Sequence, residues 1–295
     1  MVQAPVALRV DVDTRRGLGE GVPRLLELFR GLDVRASFFV TMGPERSGTA
    51  LRRAWRPSFV LKMLRTNPIR LYGVRALLAG TLLPARLVGA GVPALLRDIA
   101  GAGHEVAPHG WDHFGWQNRV DRMTLTALRR ELRAAAAAYE TALGTPPASS
   151  AAPGWRMTDA ALLAQEEFGL AYASDIRGRR AVRPRVDGGA LKTVQIPTTM
   201  PTMDELLGRV RDIEGALTAA LGDGLNVFTL HAEVEGGPLL ERFAGWVKQL
   251  RRSGRPLVRL SDVAEAARAC PVPEATIARD CVAGRSGWVA VAGQV

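Results

Sequence analysis

Short β-branched runs alternate with amphipathic helical stretches along most of this chain, and that alternation constrains the fold more than any other feature. Val6 to Val12, Arg35 to Val40, His104 to Ala107, Ala148 to Ala152, Ala171 to Ser174, Thr193 to Ile196, Asn226 to His231 and Leu257 to Leu260 have the length and composition of buried strands. Between them, Val22 to Arg30, Val92 to Ala102, Thr124 to Leu143, Asp159 to Phe168, Asp204 to Leu221 and Leu239 to Arg252 read as helices. Pro23 stands near one start, and Gly103 and Gly144 close two ends. Strand–helix repeats build parallel βα units. Seven or eight of them predict an α/β fold, a deformed (β/α) barrel with its functional residues at the carboxyl ends of the strands. A chain of 295 residues that is 47% hydrophobic can bury such a core. The pattern weakens after about Cys270, so the expected organisation is a domain over 1–270 and a C-terminal tail over 271–295.

The chemistry-bearing residues fall where that fold would gather them. Asp11 and Asp13 close the first run, His109 and His113 follow the third, Asp175 follows Ser174, and His231 ends another run. Three of the chain's four histidines belong to this set. An imidazole pair with one carboxylate can hold a divalent metal and leave a position open for water. A second carboxylate can then serve as general base and a third histidine as general acid. Taken singly, each residue has a plain alternative as a solvated turn acid or a core or surface histidine. Their joint placement at strand ends favours a hydrolytic site. His104 begins its strand and is expected to be structural. Asp112 is expected to support the metal ligands rather than to be one.

The net charge of +10 first suggests nucleic acid. Its distribution points elsewhere. Residues 46–97 contain no Asp or Glu but hold ten cations, among them Arg52, Arg53, Arg56, Lys62 and Arg65, interleaved with Trp55, Phe59, Leu61, Leu64, Tyr72 and Leu82. Such a mixture suits an anionic membrane surface and makes 46–97 a basic, apolar helical insertion facing the membrane. The alternatives are nucleic-acid binding and a core-packed insertion with a solvated basic face. Ala76 to Leu96 is interrupted by Pro84, Arg86 and Pro93, which disfavours a spanning helix. The first strand begins almost at once and carries Asp11, which leaves no room for a leader. The late cysteines, Cys270 and Cys281, are read as reduced thiols. Both features predict a cytoplasmic protein.

Several segments together carry a resemblance: Arg9-Val10-Asp11-Val12-Asp13-Thr14, His109 to His113 followed by Trp116-Gln117, Ala152-Pro153-Gly154-Trp155-Arg156, Ser174-Asp175, Gln195-Ile196-Pro197 and His231-Ala232-Glu233-Val234-Glu235-Gly236. Over residues 6–265 the chain resembles the NodB-type polysaccharide deacetylases, carbohydrate esterase family four. Glu20-Gly21-Val22-Pro23, Leu71-Tyr72-Gly73, Leu78-Ala79-Gly80-Thr81 and the late Ala283-Gly284-Arg285-Ser286-Gly287-Trp288 are similar to one branch, the deformylases of 4-deoxy-4-formamido-L-arabinose-phosphoundecaprenol.

The resemblance implies that Asp13, His109 and His113 bind one divalent ion, with zinc, cobalt, manganese and iron all suited to the donor set. It implies Asp11 as general base, His231 as general acid and Asp175 as the residue that orients His231. The implied activity is metal-dependent deformylation of a polyprenyl-phosphate-linked sugar at the inner face of the bacterial inner membrane. That step serves lipid A modification and polymyxin resistance. Trp155, Arg156, Glu233, Glu235 and Tyr72 are candidates for substrate contact. Core packing for Trp155 and Tyr72, and solvated loop acids for Glu233 and Glu235, remain open. The family usually carries Arg at the position of Ala151, paired with the base, and Arg156 is the candidate replacement. The rival expectations are an N-deacetylase of polysaccharide or peptidoglycan and a catalytically silent protein that binds a lipid carrier.

Overall fold

The computed structural model describes residues 3–49 and 78–293. Its centre is β1 (Val6–Val12), buried along its whole length as a parallel strand covered on both faces must be. β1 pairs in parallel with β9 (Asn226–His231) on one edge. On the other edge it pairs with β2 (Ser37–Val40) and, near its start, with β10 (Leu257–Val258). β2 continues to β3 (Glu105–Pro108). A second parallel sheet joins β4 (Ser149–Ser150), β5 (Tyr172–Ala173) and β8 (Val194–Gln195).

Backbone hydrogen bonds close the two seams between these sheets. Ala151 N–H donates to Pro108 O at 3.2 Å, and Thr199 and Met200 N–H both donate to Val227 O at 3.2 Å. The result is a closed, irregular ring in the order β1, β2, β3, β4, β5, β8, β9, which is the deformed (β/α) barrel expected from the sequence. Helices Val22–Leu32, Pro93–Gly101, Leu125–Leu143 and Leu240–Arg252 pack outside it. Phe29 anchors that outer layer, with ring centroids 6.3 Å from Phe38 and 6.2 Å from Phe243. His104 belongs here too. Its Nδ1 accepts from Ala36 N–H at 3.1 Å, and burial lowers its pKa to about 4, consistent with a structural role.

Three expectations change. The stretch from Asp204 to Leu221 is two helices, Met203–Leu206 and Ile213–Ala219, because Leu207 leaves helical geometry and Asp212 caps a new start by accepting from Gly215 N–H. The last strand is shorter, because the Asp262 carboxylate accepts from Arg259 N–H and opens a helix at Leu260–Arg268. The expected tail is largely strand. β11 (Glu274–Ala275) lies beside β6 (Arg183–Val186), which itself turns back into β7 (Gly189–Ala190). β12 (Ile277–Cys281) and β13 (Trp288–Ala292) form an antiparallel hairpin. It docks on the barrel through Arg177 N–H to Ala290 O and Ala292 N–H to Arg177 O, at 2.8 and 3.0 Å. Among the described residues no helix is long and apolar enough to cross a membrane.

Candidate active site

Strand periodicity assembles the site. Residues two apart on β1 share a face, so Arg9, Asp11 and Asp13 point the same way, into the barrel, while Leu8, Val10 and Val12 join the outer core. β9 contributes Thr229 and His231 in the same manner. His109 follows β3. Asp112 caps the helix His113–Arg119 by accepting from Gly115 N–H at 2.8 Å, and that cap places His113 at the first helical position. Asp112 also pairs with Arg46 at 2.7 Å.

Asp13, His109 and His113 converge. Among the described residues they form a group whose ligand atoms lie within 4.8 Å of one another. Asp13 Oδ1 is 3.5 Å from His109 Nε2, and Asp13 Oδ2 is 3.2 Å from His113 Nε2. His109 Nδ1 lies 2.9 Å from the Ala151 carbonyl oxygen, which fixes the proton on Nδ1 and leaves the Nε2 lone pair facing Asp13. Asp13 Oδ1 is buried without a hydrogen-bond partner. An orphaned carboxylate oxygen facing two imidazoles is the donor set a divalent cation requires, so the residues fit a metal ion. Burial opposes ionisation of Asp13, but the two histidines outweigh it and hold its carboxyl well below the usual range. Burial lowers the pKa of His109 to about 4, which keeps it neutral and able to ligate.

Asp11 sits beside this cluster, with Oδ2 3.6 Å from His109 Nε2. It is gripped at both oxygens by Arg9, Nε to Oδ1 at 2.7 Å and Nη2 to Oδ2 at 2.8 Å. Both side chains are buried. Burial pushes the Asp11 carboxyl up, and the Arg9 charge and hydrogen bonds more than offset that, so its pKa is lowered. A carboxylate has about four lone-pair positions, so two remain for water. Arg9 therefore takes the part expected of Arg156. Arg156 lies elsewhere, donating to Gln117 O at 2.9 Å and stacked over Trp288 at 4.9 Å. The alternation of β1 carried the signal for Arg9, because a cation on the face of two acids inside a barrel needs a carboxylate partner.

His231 lies at the rim, with its backbone N–H donating to Glu235 Oε2 at 2.7 Å and its ring edge-on to Trp155 at 6.4 Å. Trp155 is almost wholly buried and is held by its own N–H, which donates to Thr198 Oγ1 at 3.0 Å; Thr198 in turn meets Thr229 at 2.7 Å. Among the described residues no hydrogen bond joins Asp175 to His231, and Asp175 Oδ1 is buried without a partner. Asp175 hydrogen bonds Gln195, accepting from Nε2 at 2.8 Å while its N–H donates to Gln195 Oε1 at 3.0 Å, and His231 Nδ1 has no partner. The two face different neighbours because β5 delivers Asp175 toward β8, where Gln195 stands. Glu233 and Glu235 are buried rather than solvated. Both Glu233 oxygens lack a partner, and burial with the nearby Asp13 charge raises its carboxyl well above the usual range. Tyr72 and the cations Arg52, Arg53, Arg56, Lys62 and Arg65 lie outside the described residues.

The sequence profile of the polysaccharide deacetylases matches residues 3–173. A protein of Shewanella sediminis assigned as the 4-deoxy-4-formamido-L-arabinose-phosphoundecaprenol deformylase ArnD is 38% identical over 292 residues, covering 96% of this chain and 93% of that protein. A Wigglesworthia glossinidia brevipalpis protein with the same assignment is 29% identical over 276 residues, 92% of this chain and 96% of its own. In three dimensions the chain is similar to a Mycobacterium smegmatis protein assigned as a polysaccharide deacetylase. That crystal structure superposes with a TM-score of 0.65 at 21% identity, over 95% of this chain and 96% of the other, which is a likeness of fold.

Proposed function

This chain belongs to the polysaccharide deacetylase family, and we propose that within it the protein is the deformylase of 4-deoxy-4-formamido-L-arabinose-phosphoundecaprenol. The observation that carries this reading is the 38% identity to the Shewanella sediminis deformylase along 96% of the chain. The products are formate and the aminoarabinose lipid that modifies lipid A, with polymyxin resistance as the cellular consequence.

The geometry supplies what formamide hydrolysis needs. A formamide is a poor electrophile and an amine a poor leaving group. Asp13, His109 and His113 would hold one divalent ion, with zinc, cobalt, manganese and iron all compatible with two imidazoles and a carboxylate. Bound there, such an ion would polarise the formyl oxygen and lower the pKa of water. Asp11, kept ionised by Arg9, takes a proton from the attacking water as the new C–O bond forms. His231 delivers a proton to the sugar nitrogen as the C–N bond breaks, so formate and an amine leave together. Trp155 walls the sugar site next to His231. The buried, unpartnered oxygens of Glu233 are suited to hydrogen bond a sugar hydroxyl or the new amine.

A polyprenyl phosphate stays in its bilayer, so the enzyme works at the membrane surface. Two features support this. Residues 46–97 lack any acid, and Leu82, Leu83 and Leu87 within that stretch are exposed, Leu82 at 80%. The proposed location is the cytoplasmic face of the inner membrane. The test is formate release from the lipid-linked formamido sugar by purified protein, with and without chelator. Chelator-sensitive formate is the expected result. No formate from metal-loaded protein, with acetate released from an acetylated glycan instead, would overturn the reading in favour of a polysaccharide deacetylase.

A further inference from the structure

The hairpin β12–β13 brings a residue to the barrel mouth that the catalytic steps do not use. Trp155 is surrounded by three guanidinium groups: Arg285 at 4.3 Å from the ring centroid, Arg177 at 5.0 Å and Arg9 at 5.2 Å. Arg9 is neutralised by Asp11. Arg177 and Arg285 share one carboxylate, Glu205, at 2.9 and 3.4 Å. Two cations against one acid leave a positive charge in excess at a nearly enclosed place. Arg177 also donates to Met200 O at 2.9 Å inside the protein. The Arg285 guanidinium carries five N–H donors, and among the described residues its side chain makes one hydrogen bond, the long contact to Glu205.

The loop that carries Arg285 is held in place. Gly284 has φ +89 and packs on the Glu205 backbone; Gly287 has φ +86 and packs on the Arg156 guanidinium. No L side chain suits either backbone conformation, and a Cβ at either would collide with those neighbours. Pinned at both ends, the turn holds Arg285 over Trp155, the same ring that His231 meets at 6.4 Å.

We propose that Arg285, backed by Arg177, forms a subsite for the phosphodiester that links the sugar to its lipid. The proposal rests on the deformylase reading, which places the amide on C4 and the phosphate on C1 of one sugar ring. With the amide between Asp11 and His231, the phosphate lies one sugar ring away, and His231 and Arg285 both lie against Trp155, at 6.4 and 4.3 Å from its ring. A guanidinium fork matches two phosphate oxygens, and the surplus charge meets an anion it otherwise lacks.

The test compares two substrates with Arg285→Ala and Arg285→Lys: the formamido sugar as a short-chain prenyl phosphodiester, and its neutral methyl glycoside. The expected result is a drop of tenfold or more in the ratio of kcat/KM for the charged over the neutral substrate, expressed in KM, with Arg285→Lys recovering part of it. An unchanged ratio overturns the subsite, whatever the absolute rates. Calorimetry with a short prenyl phosphate separates this from failure of the deformylase reading. If wild-type protein makes no formate from either substrate, that reading falls, yet prenyl phosphate binding lost in Arg285→Ala still supports the anion subsite, and equal binding by the two proteins overturns it.

Discussion

Arg9 grips Asp11 from two residues upstream on the same strand face, Nε to Oδ1 at 2.7 Å and Nη2 to Oδ2 at 2.8 Å. The family arrangement brings the arginine from a different strand, at the position of Ala151. Here Ala151 instead supplies a carbonyl to His109. Replacing Arg9 leaves a buried carboxylate without its cation, which costs about 3–5 kcal/mol. Arg9→Met is expected to lower Tm and to reduce kcat by about a hundredfold with metal content unchanged. Added guanidinium, or a second change of Ala151→Arg, is expected to recover part of the activity. Full activity in Arg9→Met would show that Asp11 does not need this clamp.

Asp11→Asn and His231→Ala remove proton transfers and are each expected to reduce formate release by roughly 10²–10⁴-fold while bound metal stays at the wild-type level. Asp13→Asn is expected to lose the metal itself. Asp175→Asn is expected to cost less than His231→Ala, since Asp175 bonds Gln195. Rates and metal stoichiometry measured on the same preparations check all four. A loss at Asp175 as large as at His231 would restore it as the residue that orients the imidazole.

Burial raises the Glu235 carboxyl to about 8 from an ordinary 4.5, with the Asp204 and Asp11 charges adding to the effect against the His231 N–H bond. A group with a raised folded pKa contributes stability that is fully present below its unfolded pKa and is lost as pH rises through the folded value. Chelator-treated protein is therefore expected to lose of the order of 4–5 kcal/mol as pH rises from about 4.5 through 8 from this group. Glu235→Gln should flatten that part of the stability–pH curve. Parallel curves for the two proteins in urea titrations would contradict the assignment.

The basic insertion is expected to bind anionic vesicles. Each Lys or Arg near such a surface is worth about 1 kcal/mol. Neutralising Arg52, Arg53 and Arg56 together should weaken vesicle co-sedimentation tenfold or more and leave turnover of a short-chain soluble substrate intact. Raising the salt should weaken wild-type binding in the same direction. Equal sedimentation of both proteins would remove the membrane role from these arginines.

The strand ends, and with them the cluster of Asp13, His109 and His113, were legible because the signals are local. A β-branched run ending in Asp-x-Asp is visible in eight consecutive residues, and β1 and β9 begin and end at the expected positions. His109 and His113 needed only their spacing and Asp112 as a cap. The split of the stretch from Asp204 to Leu221 was not visible, because a capping aspartate inside an amphipathic pattern looks like one more polar residue until its carboxylate meets Gly215 N–H.

By itself the sequence determined the alternation, the closed set of inward-facing acids and histidines, and the kinship that names the chemistry. Each of these rests on periodicity or on residues near one another in the chain. Only the tertiary structure decided which arginine serves Asp11, that Asp175 turns to Gln195, and that residues 277–292 form a hairpin carrying Arg285 to Trp155. Those choices depend on which buried charge finds a partner across strands far apart in sequence, and burial makes each pairing matter.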